Sequence, residues 1–198
     1  NNMEIKNKIR QLSRDIFDDV VEYRRHIHQN PELAFEEHET AAFISSKLDE
    51  FNIPYKNGIA KTGIIALLEG KNPTKRVVGL RADMDALPIH EANNVPYRSK
   101  NDGKMHACGH DVHSSSLLGV AKVLGSLRDE FEGTVKFFFQ PSEEKFPGGA
   151  SVMIKEGALE DPKPDVVLAQ HVFTDLDAGM TGFKSGVYMA SADEIYLT

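Results

Sequence analysis

Near the start of the chain, apolar residues recur every three or four positions: Ile5, Ile9, Leu12, Ile16 and Val20. This spacing predicts one amphipathic helix over residues 4–28. Asn30-Pro31 is expected to end it, because the residue before a proline disfavours helical backbone. A similar pattern predicts a second helix over residues 37–51, which ends before the next proline, Pro54.

Farther along, short apolar runs between turn-forming residues predict four strands, over residues 64–69, 77–81, 134–140 and 166–169. The first two flank the turn Gly70-Lys71-Asn72-Pro73, so we expect them to pair directly. Between the strands, the pattern predicts a polar loop over residues 90–104 and helices over residues 114–127 and 150–156. Alternating strands and helices of this kind are typical of a layered α/β sheet.

Composition and charge narrow the class of protein. The 198 residues are 40% hydrophobic and 27% charged, which suits one globular domain with a buried core. A net charge of −7 argues against nucleic acid or an anionic membrane as the main partner, and no apolar run reaches the length of a membrane span. The single cysteine excludes an internal disulfide, and residues 1–10 lack an apolar signal segment, so we expect a cytoplasmic protein with a small-molecule partner.

Candidate metal chemistry begins with a cluster of histidines around the only cysteine. His106, Cys108, His110 and His113 lie within eight positions, just ahead of a predicted helix. Thiolate and imidazole are ligands for zinc-like ions, and Cys108-Gly109-His110 can present both side chains from one tight turn. Solvated loop histidines are the alternative interpretation of this cluster alone.

Polar residues that follow apolar strands strengthen the metal interpretation. Glu143 and Glu144 follow the Phe-rich strand, His171 follows residues 166–169, and Asp83 and Asp85 follow residues 77–81. Open α/β sheets bind their ligands at the carboxyl ends of strands, so these side chains are expected to meet at one edge. One glutamate can then bind metal while its neighbour acts as a base, although an ordinary acidic loop has the same local sequence.

Five separated motifs together resemble a known family. They are Arg24-Arg25-His26-Ile27-His28-Gln29-Asn30-Pro31-Glu32-Leu33, Arg81-Ala82-Asp83-Met84-Asp85-Ala86-Leu87-Pro88, Met105-His106-Ala107-Cys108-Gly109-His110-Asp111, Gln140-Pro141-Ser142-Glu143-Glu144 and Gln170-His171. In this order they resemble the aminoacylase and carboxypeptidase-like metallopeptidase family. The best match is its amidohydrolase branch, which includes N-acyl-amino-acid deacetylases, hippurate hydrolases and auxin conjugate hydrolases.

The resemblance implies a metal-dependent hydrolase of the amide bond in N-acyl, chiefly N-acetyl, amino acids. Two divalent ions, of zinc, manganese, nickel or cobalt, are expected to be bound by Cys108, His110, Glu144 and His171. Glu143 is the implied general base for a water held between the ions, and Asp85 is the implied residue that orients a ligand. Asp83 stands where the wider family has a histidine ligand, for which the Cys-Gly-His turn of this branch compensates.

The resemblance also implies an α/β fold, a three-layer, mixed-sheet, zinc-peptidase-like catalytic domain of which this chain is the N-terminal portion. Relatives are about twice as long. Residues 1–186 are expected to belong to the catalytic domain and residues 187–198 to begin an inserted lid or dimerisation domain. A further histidine ligand and part of the substrate site are then expected elsewhere, so activity is predicted for the complete protein, as a homodimer.

Three other functions stay open at this point. A metallo-carboxypeptidase or dipeptidase would act on short peptides with the same site. A thiol hydrolase would use Cys108 as nucleophile with His110 or His113 as base, but it would leave Glu143, Glu144 and His171 without a purpose. A non-catalytic binding protein is the third.

The remaining histidines receive different expectations. His38 and His90 lie in polar segments and are expected to be solvated. His26 and His28 lie at a helix end, where a structural role is expected. His106 and His113 flank the proposed ligands and are expected to form hydrogen bonds with Asp111 or the substrate, without binding metal.

Overall fold

In a computed structural model that describes residues 2–187, the centre of the protein is a five-stranded mixed sheet. Its strands are β1 (Tyr55–Ile59), β2 (Gly63–Glu69), β3 (Val77–Asp83), β4 (Thr134–Gln140) and β5 (Val166–Ala169). They lie in the order β1-β2-β4-β3-β5. β4, β3 and β5 are parallel, whereas β2 pairs antiparallel with both β1 and β4.

Helices lie on both faces of the sheet, which gives the expected three-layer α/β architecture. They are α1 (Asn2–Asp15), α2 (Phe17–Gln29), α3 (His38–Glu50), α4 (His110–Ser126) and α5 (Gly149–Lys155). Phe137 and Phe139 of β4 belong to the core formed with α3 and α4, while Phe138, between them, packs with Met153 of α5. Alternate residues of a strand point to opposite faces, so one apolar run fills both cores.

The prediction that residues 64–69 and 77–81 pair directly is wrong. β4 lies between β2 and β3 and pairs with each of them. Its three consecutive phenylalanines are all buried, at 0–5% exposure, and a strand that is apolar on both faces belongs inside a sheet. The turn-rich segment after β2 therefore carries the chain past β4 and does not close a hairpin.

The single helix predicted over residues 4–28 is two helices with a break at Ile16. The break lets α1 and α2 both follow α4, where Gly119 leaves room for Ile16 and Val20. A methyl group at Gly119 would lie 2.8 Å from Val20 Cγ2. Strand β1 was not predicted, because Tyr55–Ile59 contains Lys56, Asn57 and Gly58 in place of an apolar pattern.

The other predicted elements agree with the structure to within a few residues. α3 begins one residue after the predicted start and ends one before the predicted end, with Glu37 and Phe51 as its caps. Residues 188–198, the predicted start of an inserted domain, lie outside the described residues, and the boundary at residue 186 stays a prediction. Within residues 2–187, no helix combines the length and the apolar character needed to cross a membrane.

A buried polar network joins α2, α4 and the loop after β3. His28 lies between two carboxylates, with Nδ1 2.8 Å from Asp111 Oδ2 and Nε2 3.0 Å from Glu91 Oε1. Arg24 Nε donates to the same Asp111 oxygen at 2.7 Å, and Ser99 N donates to Glu91 Oε2. The hydrogen bond to Asp111 is the main reason that the pKa of His28 is raised. The structural role expected of His28 is therefore confirmed.

This network predicts a pH-dependent contribution to stability. His28→Gln keeps polar contacts but removes the imidazolium between two buried carboxylates, so the free energy of unfolding should fall by about 3 kcal/mol at acidic pH. A raised pKa gives stability that is complete below the ordinary value of 6.5 and is lost as the pH rises through the folded-state value. Urea unfolding of wild type and variant should therefore differ most near about pH 6 and least near about pH 9.

The exposed His38, the first residue of α3, provides the matched control. His38→Gln should change the free energy of unfolding by less than about 0.5 kcal/mol at both pH values. A loss for His28→Gln that is the same at both pH values would show that His28 is neutral in the folded protein.

Candidate metal centre

The polar residues at the strand ends converge as predicted. β4, β3 and β5 are parallel neighbours, so their carboxyl ends lie at the same edge of the sheet. The side chains at or just after these ends are Asp83, Asp85, Glu143, Glu144 and His171. The amino end of α4 reaches this edge and brings His110 with it. The edge therefore holds four carboxylates, several imidazoles and one thiol.

The Cys108-Gly109-His110 turn depends on its glycine. Gly109 has a φ of +90°, in the left-handed region that favours glycine, and it immediately precedes α4. A methyl group there would lie 2.4 Å from Val172 Cγ2, so the segment after β5 packs directly on the turn. The predicted helix over residues 114–127 begins four residues early because this turn leads straight into it, with His110 as its first residue.

His110 is fully buried and its orientation is fixed by Asp85. Its Nδ1 lies 2.8 Å from the main-chain oxygen of Asp85, which can only accept a hydrogen bond, so Nδ1 carries the proton. Nε2 therefore presents its lone pair to the site, where it lies 3.8 Å from Glu144 Oε1 and 3.6 Å from Asp83 Oδ2. Histidines that bind metal through one ring nitrogen typically donate a hydrogen bond through the other, as His110 does to Asp85.

The structure brings the proposed ligands together in two overlapping groups. In one group, donor atoms of Cys108, His110 and His171 all lie within 4.8 Å of one another, with Cys108 Sγ 3.5 Å from His171 Nε2. In the other, the same criterion joins His110 to Glu143 and Glu144. His110 belongs to both groups, so the five residues form one continuous cluster of donor atoms at this edge.

Asp85 contacts two of the proposed ligands without lying among the donor groups. Its main-chain oxygen binds His110, and its Oδ2 accepts a hydrogen bond from Glu144 N at 2.9 Å. Burial opposes ionisation of Asp85, but hydrogen bonds from His110 and from the main chain outweigh it and lower the pKa of the carboxyl. An ionised Asp85 thus contacts both of these proposed ligands and restricts their orientation.

Within residues 2–187, the carboxyl groups at this edge outnumber the arginine and lysine side chains paired with them. Asp83, Asp85, Glu143 and Glu144 supply four carboxyl groups, and Arg81 Nη1 lies 2.7 Å from Asp83 Oδ2. Burial would lower the pKa of His110, yet the surrounding carboxylates raise it. Three of the buried polar atoms here lack a hydrogen-bond partner: Asp85 Oδ1, His110 Nε2 and Glu144 Oε1. The donor set and these unpaired atoms fit bound divalent cations.

The thiol of Cys108 is poorly suited to act as a nucleophile on its own. Burial and the neighbouring carboxylates, Glu144 first among them, raise its pKa to about 12. Activated cysteines lie in electropositive surroundings that lower the pKa of the thiol. The surroundings of Cys108 have the opposite sign, and only an added cation would favour the thiolate. This finding weighs against the thiol-hydrolase alternative.

One supporting residue was missed by the sequence reasoning. Glu37 is fully buried; its Oε1 accepts a hydrogen bond from Ser142 N at 2.8 Å, and its Oε2 accepts one from Thr62 Oγ1 at 2.6 Å. Ser142, with a φ of +47°, lies just before Glu143, so Glu37 fixes the turn that presents both glutamates. In sequence, Glu37 is only the residue before a helix, and no local pattern identifies its distant partners.

The remaining histidines mostly follow expectation. His38 and His90 are exposed, and His26 stacks on Phe43 with ring centroids 4.1 Å apart. His106 is buried without a hydrogen-bond partner, and burial lowers its pKa to about 4. The expected hydrogen bond from His106 or His113 to Asp111 is absent from the described residues; both ring nitrogens of His113 have other partners, Asp83 Oδ1 and Val172 N.

Comparison with known proteins identifies the family of this chain. Residues 79–188 match the model of peptidase family M20/M25/M40, more than half of the chain. The chain therefore belongs to this family, and the resemblance inferred from its motifs is confirmed.

Similar proteins of named activity are about twice as long. The chain is 43% identical over 192 residues to an N-acyl-L-amino acid amidohydrolase of Geobacillus stearothermophilus, covering 97% of this chain and 51% of that protein. It is 43% identical to a hippurate hydrolase of Campylobacter jejuni, covering 90% and 46%. The crystal structure of Bacillus subtilis YXEP, described as a dinuclear metal-binding peptidase of family M20, superposes with a TM-score of 0.82 at 40% identity, covering 87% and 47%.

Alkylation of Cys108 tests whether the thiol binds metal. In the metal-loaded full-length protein the thiol should resist iodoacetamide at every pH, because the ion shields a bound thiolate. After chelation the carboxylates hold it protonated, so its alkylation, followed by mass spectrometry, should be slow at neutral pH and should accelerate well above pH 9.0, the ordinary pKa. Rapid alkylation at neutral pH without a chelator, with loss of activity, would support a thiol nucleophile instead.

Proposed function

We propose that the protein hydrolyses the amide bond of N-acyl amino acids, with N-acetyl amino acids as the main substrates, in a reaction that depends on two divalent metal ions. The observation that carries this proposal is the pair of overlapping donor groups that share His110 at the carboxyl edge of the sheet. The names of the similar proteins support the substrate class, since they include an N-acyl-L-amino acid amidohydrolase and a hippurate hydrolase.

In this proposal Cys108, His110, Glu144 and His171 hold the metal ions. Bound divalent ions would lower the pKa of a water molecule toward neutrality and polarise the carbonyl of the amide. The protein holds these ligands rigidly. The main-chain oxygen of Asp85 fixes the His110 ring, and the Asp85 carboxylate fixes the main chain of Glu144. Asp85 therefore acts through two ligands as a positioning residue.

Glu143 is the proposed general base. Its side chain lies beside Glu144 and His110 but on the exposed side, where substrate and water have access. Partial burial and the charge of Glu144 raise the pKa of Glu143, which makes it a better proton acceptor than an ordinary carboxylate. It can take a proton from the attacking water and deliver it to the leaving nitrogen.

Of the two alternatives, only the first has a specific support. A metallo-carboxypeptidase or dipeptidase would use the same ligands and base, and YXEP is described as a peptidase. A non-catalytic binding protein would require no base, and the placement of Glu143 beside the ligand group argues against it. We further propose that the metal is zinc, manganese, nickel or cobalt and that the full-length protein is a cytoplasmic homodimer.

Substitution of the two adjacent glutamates should distinguish the proposed base, Glu143, from the proposed metal ligand, Glu144. Glu143→Gln should leave the metal content near that of wild type and lower kcat by about 10²–10⁴-fold, the effect of losing a general base. Glu144→Gln should lose metal first, and activity with it. The measurements are elemental analysis and steady-state kinetics of the full-length protein, and unchanged turnover by Glu143→Gln would exclude this residue as the base.

A substrate panel tests the reaction class. With N-acetyl amino acids, hippurate and dipeptides offered at equal concentration, the full-length protein should release free amino acid fastest from the N-acyl compounds. Chelation should abolish the release, and divalent metal should restore it. Faster cleavage of dipeptides would favour the peptidase alternative, and no cleavage of any compound by metal-loaded protein would favour a binding function.

A further inference from the structure

His113 is a buried histidine that the proposed chemistry does not use. It lies on α4 one turn after His110, is 1% exposed, and packs against His171 with ring centroids 4.5 Å apart. Both ring nitrogens have partners within the protein. Nδ1 lies 2.6 Å from Asp83 Oδ1, and Nε2 accepts a hydrogen bond from Val172 N at 3.0 Å.

These two contacts define which nitrogen of the His113 ring carries the proton. A main-chain N–H can only donate, so Nε2 carries the lone pair and the proton is on Nδ1, which donates it to Asp83. Neither nitrogen of His113 then has a lone pair free for a metal ion. Although donor atoms of Asp83, His110 and His113 lie within 4.8 Å of one another, His113 is not a ligand in this arrangement.

The hydrogen bond from Val172 N to His113 fixes the residue next to His171, a proposed ligand. His171 follows β5 on an exposed segment, and its Nδ1 lies 2.6 Å from the main-chain oxygen of Val172. His113 holds the Val172 N–H, and the Val172 side chain packs against Gly109. The main chain around His171 is thereby fixed, with Nε2 directed toward Cys108 Sγ at 3.5 Å.

We propose that Asp83 and His113 form a positioning pair that holds His171 in place as a metal ligand through the Val172 N–H. This inference rests on the proposed function, because it gives His171 a ligand's role. Asp83 fixes the tautomer and orientation of His113, and His113 fixes the loop. The alternative is that His113 serves only as a buried hydrogen-bond partner of Asp83.

Two substitutions at His113 separate these roles. A glutamine amide reaches approximately the position of Nε2 and can accept from Val172 N–H, but it loses the contact with Asp83. An asparagine amide reaches approximately the position of Nδ1 and can donate a hydrogen bond to Asp83, but it cannot accept the hydrogen bond from Val172 N. If the pair positions His171, His113→Gln should preserve the site better than His113→Asn. If His113 only satisfies Asp83, the order is reversed.

Cobalt binding to the full-length protein provides the first readout. Equilibrium dialysis and the visible spectrum of Co²⁺ should show that His113→Asn weakens cobalt affinity by about 10–100-fold, as is usual for partners that orient a ligand. His113→Gln should retain most of the affinity. His90→Asn is the matched control, since His90 forms an exposed pair with Asp102 at 2.7 Å, and it should bind cobalt as wild type does.

Hydrogen exchange of the Val172 amide in metal-free protein provides the second readout. The amide should be protected in wild type and in His113→Gln, and it should exchange quickly in His113→Asn, while the core strand β4 stays protected in all three. Equal behaviour of the two variants, or better retention by asparagine, would overturn the proposal. If wild type binds no cobalt, the proposed function fails, and the exchange of Val172 alone decides whether His113 holds the loop.

Discussion

The excess of negative charge at the carboxyl edge of the sheet is the constraint on which the site depends. Asp83, Asp85, Glu143 and Glu144 meet there, with Arg81 as the nearby countercharge. Burial of unbalanced charge is costly, and the protein compensates with hydrogen bonds that keep Asp83 ionised, with a pKa of about 2. The same charges raise the pKa of Cys108 and His110. Bound cations would balance the carboxylates and lower the pKa of both Cys108 and His110.

The geometry of the site follows from the sheet and from two close approaches of the backbone. Parallel pairing of β4, β3 and β5 brings the ends of three strands to one edge. Gly109 allows the Cys-Gly-His turn to lie against Val172, and Gly149 allows α5 to begin where a methyl group would lie 1.8 Å from Pro141 O. Larger residues at these two glycines would displace the segments that carry the proposed ligands.

The sequence predicted the features that depend on local patterns. The Phe-rich run identified β4. The Cys-Gly-His turn and the polar residues after three strands identified candidate metal-binding side chains, and the resemblance of five motifs to a known family implied which of them are ligands. The break at Ile16 and the position of β4 between β2 and β3 depend on packing between distant segments, which periodicity along the chain does not contain. Glu37 and His113 act through partners 105 and 59 residues away, so only the folded chain identifies what they hold.

If cations balance the carboxylates at the strand ends, they should be visible by anomalous scattering from metal-loaded crystals of the full-length protein. We expect two peaks about 3.5–4 Å apart, with Cys108, His110, Glu144 and His171 as ligands and with His113 outside the coordination sphere. The absence of a peak at this cluster, or a peak coordinated by His113, would contradict this expectation.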